Sequence, residues 1–278
     1  MRTYVLKINP RRRVDLTVTE RFAEIDGVIA FIHQHMYDHL PLERLARYAG
    51  YSPYHFARMF KERTGLSPLY YVSSHRLQRA KDMLLRTGLT VRDISLEIGQ
   101  QSLGTFTSRF AARVGMSPAE FRNSVQYAGD QMSSLRKLQD WRSSYPISRL
   151  PSSVHGTISA EVPFNGVILI GLFAKPIPEG LPLYGTLLSS LGHFHFDHVA
   201  PGTYYLLATS ISWGTRTLDF LLPHATLRTR SRAPIHVGPG SLVPHQQVTL
   251  HPPRLDDPPI LISLPLLMNR FLNRIAVR

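Results

Sequence analysis

One stretch of nineteen residues, "GYSPYHFARMFKERTGLSP" from Gly50 to Pro68, returns as "GQQSLGTFTSRFAARVGMSP" from Gly99 to Pro118 with its landmarks kept. Phe56 matches Phe106, Phe60 matches Phe110, Gly65 matches Gly115, and Ser67-Pro68 matches Ser117-Pro118, all 50 positions on. Before the turn the shift is 49, from Gly50 to Gly99, so one residue is inserted in the second turn, where a length change does least damage. Each copy reads as helix, short turn, helix. Pro41 opens the first helix, and Leu42, Leu45, Ala46 and Ala49 form one apolar stripe. Gly50 ends it by taking a left-handed backbone. Ser52 caps the next helix with Pro53 at its first position. In the second copy Val91, Ile94, Ser95 and Ile98 replace the stripe.

Between the copies, Ser67-Pro68 starts a helix that runs through "LYYVSSHRLQRAKDMLLR" to a stop near Thr87-Gly88. From Pro68 to Arg86 it would span roughly 28 Å. Neighbouring major grooves on one face of DNA lie about 34 Å apart. A stiff strut of this length suits two helices held for adjacent grooves.

Charge agrees with a polyanionic partner. The formal net charge is +13, and it is uneven: residues 1–149 carry 23 Lys+Arg against 13 Asp+Glu, residues 150–278 only 9 against 6. A basic half therefore precedes a nearly neutral one. At 43% apolar and 18% charged, 278 residues suit two folded domains. The absence of cysteine removes disulfides, thiolate metal sites and a cysteine nucleophile, and suits the cytoplasm. No uninterrupted apolar run reaches membrane-spanning length, and "MRTYVLKINPRRR" lacks the apolar core of a signal peptide.

On the second helix of the first copy, Phe56, Met59 and Phe60 point inward while Tyr54, Ala57, Arg58 and Lys61 point out. The corresponding outward face of the second copy is Gly104, Thr107, Ser108 and Ala111, with Thr105 at its flank. These landmarks, with "RLQRAKDMLL", "VRDISLEIG" and "VGMSPAEFR", resemble the AraC/XylS transcriptional regulators over about residues 20–124. The resemblance implies a seven-helix DNA-binding domain. Its first helix would be Glu20–His39, with Ile25, Val28, Ile29, Ile32 and Met36 inward. Its last would be Pro118–Ser124, where Ser117 and Glu120 form a capping box.

By the same resemblance Tyr54, Ala57 and Arg58 contact base edges. Arg58 is suited to bidentate pairing with guanine, and its alternative is a phosphate contact. Gly104, Thr105, Thr107 and Ser108 are the second set, with weaker readout expected from their short side chains. Gln100 stands where the family has an aromatic. Phosphate contacts are assigned to Ser52, Lys61, Arg47, Arg76, Arg79 and Arg109. Arg109 and Arg113 lie nearer the buried flank, where an internal carboxylate is the other option. Lys81 could join these phosphate contacts, but reads rather as part of a solvated face. Arg11–Arg13 reads as a solubilising arm that could touch DNA.

After Ser124 a polar stretch is expected to hold a helix around Met132–Trp141 and then a Pro/Ser linker. From Val154 the period becomes that of strands: "VHGTISAEV", "GVILIGLF", "HFHFD", "TYYLLATSI" and "TLDFLL". Ala200-Pro201-Gly202 suggests a tight turn with Gly at positive φ. The fold class expected is therefore multidomain: an all-α tandem helix-turn-helix domain, then an antiparallel β-sandwich of six to eight strands. The second part weakly resembles carboxypeptidase-regulatory or prealbumin-like domains. The divisions are an arm at 1–19, the DNA-binding domain at 20–124, a linker at 125–152, and an effector or dimerisation sandwich at 153–278.

His193, His195 and His198 invite a metal, but alternation with Phe194 and Phe196 favours the polar side of an amphipathic strand. Neither a metal, a cofactor nor a catalytic residue is assigned. Leu267, Phe271 and Ile275 mark one face of a terminal helix that docks on the sandwich or joins a homodimer.

The expectation is a cytoplasmic, non-enzymatic, sequence-specific transcription factor. Its partner is double-stranded DNA, with RNA polymerase and a small-molecule effector as further partners. The rivals are an enzyme with a catalytic sandwich targeted by the helical half, and an architectural DNA binder. Alkyl transfer to cysteine, known in some relatives, has no acceptor here.

Overall fold

The structure is a computed structural model, and it describes residues 22–137, 152–229 and 233–276. The arm at 1–19 with Arg11–Arg13, Glu20, Trp141 and most of the Pro/Ser linker lie outside the described residues.

Seven helices fill residues 23–123: α1 Ala23–Gln34, α2 Leu42–Tyr48, α3 Pro53–Thr64, α4 Pro68–Arg86, α5 Val91–Glu97, α6 Leu103–Val114 and α7 Pro118–Asn123. The first is shorter than expected, because His35 turns out of the helix and its ring meets Asp38 at 3.0 Å. Ile25, Val28, Ile29, Ile32 and Met36 are nonetheless buried. The duplication is visible atom by atom. Gly50 and Gly99 have φ of +72° and +76°, and Gly65 and Gly115 have +79° and +95°. Tyr51 N–H donates to Ala46 O, and Gln100 N–H donates to Ser95 O, closing both turns with the same bond. Ser52 and Ser102 each accept from the backbone N–H three residues on. The box between Ser117 and Glu120 is present, and Thr90 with Asp93 forms another.

The core of this half is aromatic: Phe56, Phe60, Tyr71, Phe106, Phe110 and Phe121 are all fully buried. It also takes in Ile177, Leu222 and Leu261 from the second half. The two halves thus share apolar packing.

A further helix, α8 Val125–Lys137, begins seven residues earlier than the sequence suggested. Burial of Ala128 among second-half residues explains the early start: one small side chain fixes the helix to a neighbouring layer. The strands follow: β1 Val154–Ala160, β2 Gly166–Phe173, β3 Tyr184–Leu188, β4 Gly192–Phe196, β5 Gly202–Ser212, β6 Ile235–Val237 and β7 Gln246–Leu250. They form two sheets, β4-β1-β7 and β3-β2-β5-β6. All pairings are antiparallel except β1 with β7, which run parallel. Ile168, Ile170 and Leu172 of β2 face the other sheet with Phe194 and Phe196 of β4. Val167 and Leu169, one step out of phase, face a helical layer that includes Leu264 and Met268. Being covered on both faces, β2 reads as a continuous apolar run.

Two local expectations fail. "TLDFLL" is not a strand but a short helix, α9 Thr217–Leu221, with Phe220 and Leu221 buried. Five residues are too few to show a helical period. Gly202 does not take positive φ; it opens β5, and a side chain there would press on the Tyr204 ring at 3.2 Å. The left-handed residue in this connection is His198, at φ +53°. The terminal helix, α10 Leu264–Ala276, docks through Leu264 and Met268, with Leu267 and Phe271 partly covered.

The end glycines of α3 and α6 both abut the second half. A Cβ on Gly65 would lie 3.2 Å from Pro176 Cγ, and one on Gly115 2.5 Å from Leu266 Cδ2. Around Gly50 there is open space. Gly50→Ala should therefore cost only the left-handed strain, about 1–2 kcal/mol. Gly115→Ala should cost more, because strain and collision add, and chemical denaturation of the two variants will rank them. Equal midpoints would mean that the seam at Gly115 yields freely.

Candidate nucleic-acid interface

The outward face of α3 is bare. Tyr54 is 84% exposed, Arg58 and Lys61 are exposed, and Ala57 lies half-buried between them. Neither the Arg58 nor the Lys61 side chain has a hydrogen-bond or ion-pair partner among the described residues. Ser52 Oγ accepts from His55 N–H at 3.4 Å, so its lone pair caps the helix while its O–H stays available as a donor. Arg47 projects from α2 and is exposed.

On α6, Gly104, Thr105 and Ser108 are exposed. Thr107 turns its hydroxyl back on its own helix, to Leu103 O at 2.7 Å. Its proton is spent there, leaving a methyl and a lone pair. Arg109 donates to Gln100 Oε1 at 2.9 Å, so the residue standing in the aromatic position holds a guanidinium instead.

Arg76 and Arg79 on α4 differ in kind. Arg76 donates to Met36 O at 3.0 Å and to Asp38 O at 2.5 Å, and burial lowers its pKa. Those donors tie α4 to the end of α1. Arg79 is exposed, with Nε on the Tyr37 hydroxyl.

Lys81 corrects the expectation of a solvated face. It is fully buried, and its Nζ donates to Ile260 O at 3.0 Å and Leu261 O at 3.1 Å. Burial lowers its pKa to about 7, with Asp82 acting in the opposite direction. A polar side chain on a helix surface reads as solvated unless its cover is known, and here the cover comes from far downstream.

Arg63 and Arg113, 50 positions apart, are equivalent residues of the two copies. Arg63 binds Asp26 Oδ1 at 2.8 Å and Asp256 Oδ2 of the second half at 2.7 Å. The hydrogen bond to Asp26 raises its pKa above the usual arginine value. Arg113 binds Glu179 Oε2 of the second half at 2.5 Å, and its guanidinium also lies over the Tyr70 ring. Arg113 thus takes the internal carboxylate. The second half grips the last turn of each outward-facing helix by the same repeated arginine, and grips the strut between them through Lys81. The repeat itself held the signal for this pair, although nothing in the sequence pointed to Asp256 or Glu179.

In β4, Phe194 and Phe196 are buried while His193 is exposed, and His195 lies 3.6 Å from Asp197. Among the described residues no group of His, Asp or Glu is arranged to hold a metal. Nor is any helix among them long and apolar enough to cross a membrane.

Paired short helices, each with one buried and one bare face, define a helix-turn-helix protein. Residues 45–124 match the family described as "Helix-turn-helix domain", and this segment is a helix-turn-helix domain of the AraC/XylS type. The "Uncharacterized HTH-type transcriptional regulator YobQ" of Bacillus subtilis is 37% identical over 97 residues, covering 35% of this chain and 40% of that protein. The "Bifunctional transcriptional activator/DNA repair enzyme AdaA" of the same organism is 32% identical over 98 residues, covering 35% of this chain and 46% of that one. The "Right origin-binding protein" of Escherichia coli is 32% identical over 104 residues, covering 37% and 36%. The match therefore spans less than half the length of each of these relatives. Among solved structures, the DNA-binding domain of AdpA in complex with a target DNA covers 38% of this chain and 95% of that one, at 26% identity and a TM-score of 0.36.

Proposed function

We propose that the protein is a sequence-specific DNA-binding transcription regulator that sets α3 and α6 into adjacent major grooves of one duplex. One observation carries this reading: α4 runs unbroken from Pro68 to Arg86 between two equivalent helix-turn-helix units, each with a bare outward helix. At about 1.5 Å per residue it holds them roughly a helical turn of DNA apart. Regulators named among the relatives support the same class.

In this reading Tyr54, Ala57 and Arg58 meet base edges. Gly104, Thr105 and Ser108 meet them more weakly, with Thr107 offering its methyl. Phosphates fall to Ser52, Lys61, Arg47 and Arg109, while Arg76 and Arg79, engaged by the end of α1 and by Tyr37, are left to the fold. The helical domain occupies 20–124 and the sandwich 153–278. The site of action is the cytoplasm, with RNA polymerase as the downstream partner, and the second half modulates binding. A homodimer through α10 is the arrangement the half-covered Leu267 and Phe271 would serve.

Arg58→Ala tests the reading. Promoter fragments recovered with the wild-type protein should bind the variant about 5- to 150-fold more weakly, which corresponds to 1–3 kcal/mol of discrimination. Random DNA should be held almost as well as before. Equal losses on both would make Arg58 a phosphate contact and remove base readout from α3. Equal wild-type affinity for promoter and random DNA would instead favour an architectural role.

A further inference from the structure

A cavity lies along one face of α4, where the strut meets α1 and the second half. His75, Gln78, Arg79 and Asp82 recur at helical spacing along it, so one side of the strut walls a cavity of about 440 Å³. The opposite wall comes from the second half, through His224, Arg228 and Asp257, and His33 of α1 closes one end.

Its polar groups are unevenly satisfied. Asp82 accepts from His224 at 2.8 Å, and Arg228 donates to Pro223 O at 2.7 Å and His224 O at 2.9 Å. Three buried atoms have no hydrogen-bond partner among the described residues: Gln78 Nε2, His75 Nε2 and Asp257 Oδ1. Gln78 and Asp257 are only 8% and 6% exposed. Native proteins seldom leave such groups unpaired, since each costs roughly 1–3 kcal/mol. Asp257 Oδ2 is already engaged by Arg254 N–H at 2.8 Å, so the free oxygen is fixed in direction. At the rim, Arg79 spends Nε on Tyr37 and keeps two terminal nitrogens, a fork suited to a carboxylate.

We propose that this cavity binds a small zwitterion of the amino-acid class. Its ammonium meets Asp257, its carboxylate meets Arg79, and Gln78 donates to an oxygen of the same molecule. Bound there, it joins the strut to the second half and fixes how α4 sits between the two reading helices. This regulatory part rests on the DNA-binding reading above; the binding itself does not.

The twenty standard L-amino acids are titrated singly into the full-length protein by calorimetry without DNA. D-glucose and inorganic phosphate serve as hydroxyl-only and anion-only probes. At least one amino acid should bind saturably at one site per chain, and its N-acetyl and amide derivatives should bind at least tenfold more weakly. Arg79→Gln, an exposed change that leaves the core intact, should weaken it at least fivefold. Asp257→Asn should weaken it at least tenfold, with its melting curve as the check on folding. Hydrogen exchange in residues 75–82 should slow when the ligand is bound.

Binding by none of the twenty overturns the site and leaves a cavity for ordered water. A response to glucose or phosphate alone overturns the zwitterion. Wild-type affinity in Arg79→Gln overturns the placement. Tight binding with unchanged exchange in α4 overturns the regulatory role, and none of these results depends on whether DNA is bound.

Discussion

Glu179→Ala should lower stability by about 3–5 kcal/mol and the melting temperature by roughly 10 °C. The Glu179 and Arg113 side chains are each only 8% exposed, so deleting the carboxylate strands a guanidinium at the seam between the halves. Ser73 and Ser74, its other partners, can accept hydrogen bonds but cannot neutralise the charge. Lys175 pairs with the same carboxylate at 3.0 Å but is 56% exposed, and Lys175→Ala should cost under about 1 kcal/mol. Combining Glu179→Ala with Arg113→Met should recover much of the loss, because an apolar replacement removes the stranded charge. Denaturant titration of the four proteins checks the set. A cost below 1 kcal/mol for Glu179→Ala would show that the grip on α6 is dispensable.

Lys81 should give the protein an unusual dependence on pH. In the unfolded chain a lysine titrates near 10.4, whereas burial holds Lys81 at about 7 in the folded protein. Between these values the unfolded chain carries a proton that the folded one lacks. Stability contributed by this residue therefore rises as pH increases from about 7 toward 10, and is flat below 7, where both states are protonated. Across the whole window the gain is on the order of 4 kcal/mol. Lys81→Met removes the titration while leaving Ile260 O and Leu261 O without their donor. Urea midpoints at pH 7 and pH 9.5 should rise in the wild type by clearly more than in Lys81→Met. Parallel rises would assign the effect to other groups.

What the sequence made legible was local and repeated. Gly50, Gly65, Gly99 and Gly115 announced four left-handed turns, and Pro68–Arg86 was bounded by a proline and a Thr-Gly stop. The bare face of α3 followed from the burial of Phe56, Met59 and Phe60. The seam was not legible. Gln78, Lys81 and Asp82 are the residue types of a wet helix face, and their cover is supplied about 140 to 180 positions later. Polarity records what a side chain can bond to, not whether water or a carbonyl will do the bonding. The parallel return of β7 beside β1 left no mark either, because strand patterns carry no direction.

Ile177, Leu222 and Leu261 sit inside the helical core rather than beside it. A lineage carrying this arrangement cannot trade its sandwich for a foreign one as a ready-made cassette, since the incoming part would have to reproduce three plugs and two carboxylates at once. The solvent side of α3 is under no such bond. Substitutions there leave the joint between the two halves untouched.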